Sequence, residues 1–284
     1  MNDFIGYLVS GIALGASFAL IGSGFVVIHR VTKVVNFAQG TLAVFGGLIS
    51  YSLLNGILPQ GVAQIVTVLI CAVIGLIMGL IAIGKRGTPP MISLLVTLGL
   101  AILSGAVIIL LWGQDPVVPP GIKGSVSFLG VELESQRLLV IVITVITFVA
   151  MGLFFGKSYL GMALTASASN PRAARLVGIN VRGMGFISFA VAGALGGLAG
   201  VLIAPSNPMS FYSDLPLALS GFAAAVFGGL NSPLKTAIGG LVLGVAGALV
   251  AGYGGGSFQT QVALLMMLVV MIARHRSLAT EEAK

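Results

Sequence analysis

The sequence predicts an all-α membrane protein, a polytopic bundle of about nine transmembrane helices, on three observations. First, 57% of the 284 residues are hydrophobic and only 7% are charged, whereas a soluble domain is about one quarter charged because water must wet its surface. Second, apolar runs of roughly twenty residues, the length that spans a hydrocarbon core, follow one another along the chain. Third, 41 glycines sit among Leu, Ile, Val and Phe rather than among the Ser and Gln of a flexible linker. Each costs about 1 kcal/mol relative to alanine in a helix interior. Their density therefore points to close helix–helix approach, which small residues permit in a bilayer.

The expected spans are Phe4–Ile28, Asn36–Leu54, Val62–Ile83, Pro90–Trp112, Leu138–Gly156, Met184–Ile203, Leu215–Leu230, Lys235–Ala251 and Phe258–Ala273. The last three are short and glycine-rich, so some of the nine are candidates for broken or re-entrant helices. Met1-Asn2-Asp3 lacks the basic start of a secretory signal, and the apolar run after it is too long for one, so it reads as a retained first span. The whole chain, 1–284, reads as one transmembrane domain with two sizeable loops, 113–137 and 157–183.

Lys and Arg collect in the cytoplasmic loops of membrane proteins. With the N-terminus outside, Arg30, Lys33, Lys85, Arg86, Lys157, Arg172, Arg175, Arg182, Lys235, Arg274, Arg276 and Lys284 fall inside, against Lys123 and Arg137 outside. The opposite orientation inverts that tally. The expectation is therefore N-terminus outside, C-terminus inside, loop 113–137 external and loop 157–183 cytoplasmic. This accounts for the net charge of +7 without a nucleic-acid partner.

The predicted span interiors contain no Asp, Glu, Lys, Arg or His. A proton-coupled transporter would carry one, because a charge there costs at least about 2.5–3.5 kcal/mol and is retained for a pathway. Sodium coupling through carbonyls and hydroxyls stays open. Gly79 to Lys85 imitates part of a phosphate-binding loop, but Arg86 stands where Ser or Thr is needed, and no strand precedes it. His29 and His275 sit beside arginines at span ends, and Cys71 is the single cysteine, so neither a metal site nor an intrachain disulfide is expected. Nothing resembles a catalytic constellation.

Three features carry chemistry. In loop 157–183, Gly161–Ser169 is rich in helix formers, and Asn170-Pro171 interrupts it. Asn is a good N-cap and Pro is favoured at the first helical position. Arg172 to Val177 then reads as a short helix ended by Gly178. A rigid, charged knob results, suited either to docking on a cytoplasmic partner or simply to satisfying the charge rule. Next, Asn36 and Gln39 with Gly40 place uncharged amides at the start of a span, on one face if helical; they either line a path or fasten helices. Last, Gly11, Gly15 and Ala19, then Ala192, Gly196 and Gly200, and Gly193 with Gly197, form ladders that read as packing faces. Ala43–Leu48 recurs as Ala225–Leu230, too short an echo to support a repeat.

These residues resemble the permease subunits of branched-chain amino-acid ABC importers over most of the chain. Val35–Gly40 resembles an element of that family, with Thr41 where it commonly has Glu. Asn170-Pro171, Ala173, Arg175-Leu176 and Gly178-Ile179-Asn180 resemble its cytoplasmic signature, and Ala190–Gly200 with Ala223–Leu230 and Gly239-Gly240 matches a third stretch. The resemblance implies a non-catalytic transmembrane subunit in a bacterial inner membrane. It works with cytoplasmic ATP-binding-cassette ATPases, a second permease subunit (a paralogue or itself) and a periplasmic amino-acid-binding protein. ATP is bound by the partners, with no cofactor in this chain. It further implies that Asn170, Pro171, Arg172, Ala173, Arg175, Leu176 and Gly178 couple to the ATPase, and that the cargo is leucine, isoleucine, valine or a related small solute. The rival reading is a self-sufficient secondary transporter or channel for a small neutral solute such as an amide, urea or an amino acid.

Overall fold

The computed structural model describes residues 2–56, 58–84, 90–128, 131–254 and five positions between 261 and 269. Ten α-helices account for most of this: α1 Asn2–Thr32, α2 Gln39–Leu54, α3 Gln60–Ala82, α4 Pro90–Trp112, α5 Ser135–Lys157, α6 Tyr159–Ser169, α7 Pro171–Leu176, α8 Val181–Ile203, α9 Asp214–Phe227 and α10 Pro233–Gly254. Among the described residues six helical segments are long and apolar enough to cross a membrane: Phe4–Thr32, Gln60–Ala82, Met91–Trp112, Ser135–Lys157, Val181–Ile203 and Pro233–Gly254. α2 and α9 are shorter. Of the nine expected spans, Phe258–Ala273 is described only at those five positions, and Lys85, Arg86 and His275 lie outside the described residues.

The bundle is layered by burial. The α1 span is 89% buried and that of α8 67%, whereas α4 and α5 are each 17% buried. α1, α2 and α8 therefore form the centre. α4 and α5 present Ile102, Leu110, Val145 and Ile146 outward, each more than half exposed. Apolar surface at that density belongs against lipid or another membrane subunit, since water would penalise it by about 25 cal/mol per Å².

The centre is held by close backbone approach, as the ladders predict. A Cβ added at Gly11 or Gly15 would overlap the backbone of α10 at Val245 or at Gly240 and Leu241. α8 uses its two ladders against two neighbours: Gly196 and Gly200 lie against Leu42 and Ala43 of α2, and Gly193 and Gly197 against Cys71 of α3. The echoed hexapeptides are not a structural repeat. Ala43–Leu48 is continuous helix, while Ala225–Leu230 leaves α9 through Gly229 (φ 77°) and Leu230 (φ 58°).

The two ends of the bundle differ. One carries loop 113–137, which folds into an antiparallel pair, β1 Ser125–Phe128 and β2 Val131–Glu134, pairing Ser125 with Glu134. It is tied down by the mutual backbone bonds of Val117 and Met209, by Gln136, which accepts from Ile122 N–H and donates to the Leu202 carbonyl, and by Trp112 Nε1 donating to Ser52 at 2.7 Å. The other end carries α6 and α7.

Candidate functional site

Loop 157–183 is a series of capped helices. The Ser158 hydroxyl accepts from Gly161 N–H and starts α6. Asn170, extended at φ −146° and ψ 95°, ends α6 and begins α7, its side chain accepting from the N–H groups of Arg172 and Ala173 at 3.1 and 3.0 Å. Pro171 occupies the first helical position. Gly178 stands at φ 84°, where only glycine is unstrained, and two bonds close the helix behind it: Gly178 N–H to the Arg175 carbonyl and Ile179 N–H to the Ala174 carbonyl. That pair is the Schellman arrangement. Asn180 then caps α8 through Gly183 N–H. The cap residues read from the sequence all occupy those positions.

Burial divides this knob into two faces. Gly161, Leu164, Ser167 and Ala174 are buried, and Gly161 approaches the α5 carbonyl of Phe154 so closely that a Cβ would overlap it. Arg172, Ala173, Arg175, Leu176 and Val177 are exposed, Leu176 at 89%. No Asp or Glu occurs between 157 and 183, while Lys157, Arg172, Arg175 and Arg182 all do. The exposed tip is therefore an apolar point flanked by uncompensated positive charge. Its inner face rests on the end of α1, where Val27, Arg30 and Val31 meet Leu164, Thr165 and Ala168.

Asn36 lies in a break between α1 and α2, and Gln39 and Gly40 are the first residues of α2. Residues 33–38 are not helical, so the single helix face expected for Asn36 and Gln39 does not form there. Lys33 turns the chain at φ 60°. The segment then runs inside the bundle, where irregular backbone survives only if the protein satisfies its polar groups. Thr97 of α4 does part of this, accepting from Phe37 N–H and donating toward the Leu94 and Val35 carbonyls. Asn36 accepts from Ala38 N–H. Gln39 donates to the Ala192 carbonyl of α8 at 2.9 Å, with its side chain filling the space beside Gly24 of α1.

Both amides are fully buried; Gln39 ties α2 to α8, while among the described residues the Asn36 side chain bonds only within its own segment. Asn36 Nδ2, Gln39 Oε1 and Thr41 Oγ1 are buried without a partner among the described residues. Of these atoms, Asn36 Nδ2 lies in the break and the other two in the first turn of α2. Gly40 abuts the Asp214 carbonyl and Ala218 of α9. Asp214 begins α9 half-buried, with its carboxylate accepting from Leu215 N–H. The last turns of α1 lead from the knob to the break.

The sequence reading missed a cavity of about 240 Å³ near the hairpin end, between α1, α9 and residues 203–213, with Phe18, Asn207, Met209, Ser213, Leu217 and Ser220 in its wall. No local pattern marks these residues. The imitation phosphate loop begins inside helix α3, with Gly79 packed on Phe189.

A family model described as branched-chain amino acid transport system, permease component, matches residues 7–274. The chain is 27% identical to the high-affinity branched-chain amino acid transport system permease protein BraD of Pseudomonas aeruginosa, over 95% of this chain and 94% of that one. It is 26% identical to the permease protein LivH of Salmonella typhimurium, over 95% and 93%. It is 29% identical to the probable branched-chain amino acid transport permease protein LivH of Methanocaldococcus jannaschii, over 89% and 84%. A solved structure, PsaBC from Streptococcus pneumoniae in complex with Fab, superposes with a TM-score of 0.54 over 95% of this chain and 91% of that one, at 13% identity, which speaks for the fold alone. The all-helical bundle, its buried glycine ladders and these matches along nearly its whole length agree: the chain belongs to the permease components of branched-chain amino acid ABC transport systems.

Proposed function

We propose that this chain carries leucine, isoleucine, valine or a closely related amino acid inward across a bacterial inner membrane, driven by separate cytoplasmic ATPase subunits. The observation that carries the reading is the knob: a capped, acid-free helical hairpin whose exposed tip, Arg172, Arg175, Leu176 and Val177, is rigidly seated on the end of α1. A rigid apolar point flanked by arginines suits insertion into a groove with acidic rims on a partner, since Arg is a favoured anchor at protein interfaces. Asn170, Pro171 and Gly178 hold the shape, and Ala173 lets the partner approach. Force on the knob passes through α6 to the last turns of α1 and so to the non-helical joint at 33–38 and the start of α2. There, alternative packings of Asn36, Gln39 and Gly40 give the two states between which ATP binding shifts the population.

In this reading the chain itself is non-catalytic and binds no ATP. Loop 157–183 is cytoplasmic and loop 113–137 periplasmic. A second permease subunit covers part of the exposed apolar surface, and a periplasmic amino-acid-binding protein delivers the cargo. Reconstitution of the chain with its candidate ATPase, second permease and binding protein tests it. Uptake of leucine into proteoliposomes that requires ATP supports the reading. Gradient-driven uptake by this chain alone, with no ATPase complex, would replace it with a secondary transporter.

A further inference from the structure

We propose that the cavity near the hairpin end is a binding station for the permeating amino acid, a site that takes a zwitterionic head on one wall and an aliphatic side chain on the other. This rests on the transport reading above and adds where, within this chain, the solute is held. The cavity measures about 240 Å³; a cavity of about 150 Å³ already accepts benzene, so there is room for leucine, with half again as many heavy atoms. Phe18 in its wall is the middle residue of the Phe4–Thr32 span. The cavity therefore extends from the hairpin end about halfway along α1.

The wall has two chemistries. Asn207, Ser213 and Ser220 supply amide and hydroxyl groups, while Phe18, Met209 and Leu217 supply apolar surface. Ser220 is 4% exposed, and its hydroxyl is absent from the hydrogen bonds among the described residues, so it is free to serve a solute. Ser213 accepts from Ser210 N–H and keeps its own proton to donate. Small-solute sites commonly combine mostly apolar walls with a few fixed polar groups. The backbone here is irregular, with residues 204–213 forming turns and a 3-10 segment, Phe211–Ser213, rather than a continuous helix. Such backbone at membrane depth is tolerated where it lines a cavity.

Two variants in the reconstituted full complex test the station. In Ser220→Leu the added side chain fills the cavity. ATP-driven leucine uptake is expected to fall at least tenfold, while ATP hydrolysis stimulated by the binding protein stays within twofold of the parent. Unchanged uptake, or equal loss of hydrolysis by a folded complex, overturns the proposal. Ser213→Cys gives a readout that does not depend on transport, because the native Cys71 is buried. Millimolar leucine is expected to slow its modification by a small thiol reagent at least threefold, and equal concentrations of glutamate much less. Equal rates with and without leucine overturn the station. Absence of ATP-driven uptake in the parent complex instead contradicts the transport reading, and the thiol measurement still decides whether the cavity binds the solute.

Discussion

The centre of the bundle and the knob of α6 and α7 are both built from small residues, yet they are held together by opposite means. In the centre, Gly15, Gly193, Gly196 and Gly200 bring backbones into contact. Lipid tails give helices no hydrophobic reason to associate, so dense packing and a few interhelical hydrogen bonds must do it. The knob has almost no core. It owes its shape to local capping by Ser158, Asn170, Gly178 and Asn180, which works in water and leaves the tip uncovered. The lesson is a division of labour: the centre tolerates no added volume, whereas the knob tolerates changes that preserve its caps and is sensitive in its charges.

The hardest blow to the centre is Gly200→Val. Even a Cβ there would overlap the Ala43 carbonyl and stand 2.9 Å from Gly47 N. Overpacking of this kind costs about 3 kcal/mol or more, so the variant is expected to lose the monodisperse folded species on gel filtration in detergent. Arg175→Glu comes next and acts on the other region. Its side chain is exposed, so thermal stability should stay within a degree or so of the parent, while affinity for the ATPase subunit falls about thirtyfold, the equivalent of an interface hot spot near 2 kcal/mol. Asn170→Ala removes both cap bonds of α7 and should cost about 1 kcal/mol locally, read as faster amide exchange at Arg172 and Ala173 without loss of the bundle. The smallest effect sharpens the contrast. A methyl group added at Gly99 in α4 would meet nothing within 4 Å, so Gly99→Ala should be neutral or gain up to about 1 kcal/mol in helix propensity. A loss of thermal stability there would mean that glycine matters by type, not by contact.

Much of this contrast is legible in the sequence because its causes are local. Hydropathy marks α1, α3, α4, α5, α8 and α10, and fourfold spacing of small residues marks the faces that meet. Asn170-Pro171 and Gly178 announce the knob, since a cap is a matter of neighbouring residues. The break at 33–38 is different. The expected span starts at Asn36, yet residues 36–38 stay out of α2, and there Thr97, some sixty residues away, accepts from Phe37 N–H and donates toward the Val35 carbonyl. The same applies to Asp214. Its backbone carbonyl meets Gly40 of α2, and no periodicity encodes that contact. The cavity draws its wall from α1, from turns and from α9, whose convergence only the fold creates.

The most direct test of the central claim, that the knob is the docking surface, is protection of a single thiol at its tip. Leu176 is 89% exposed and the native Cys71 is buried, so Leu176→Cys reports the tip alone. The account predicts rapid labelling by a membrane-impermeant thiol reagent in the chain without ATPase, and labelling at least tenfold slower once the ATPase subunits are bound. Equal labelling in an intact complex would show that the ATPase docks elsewhere and that the knob is only a loop obeying the charge rule.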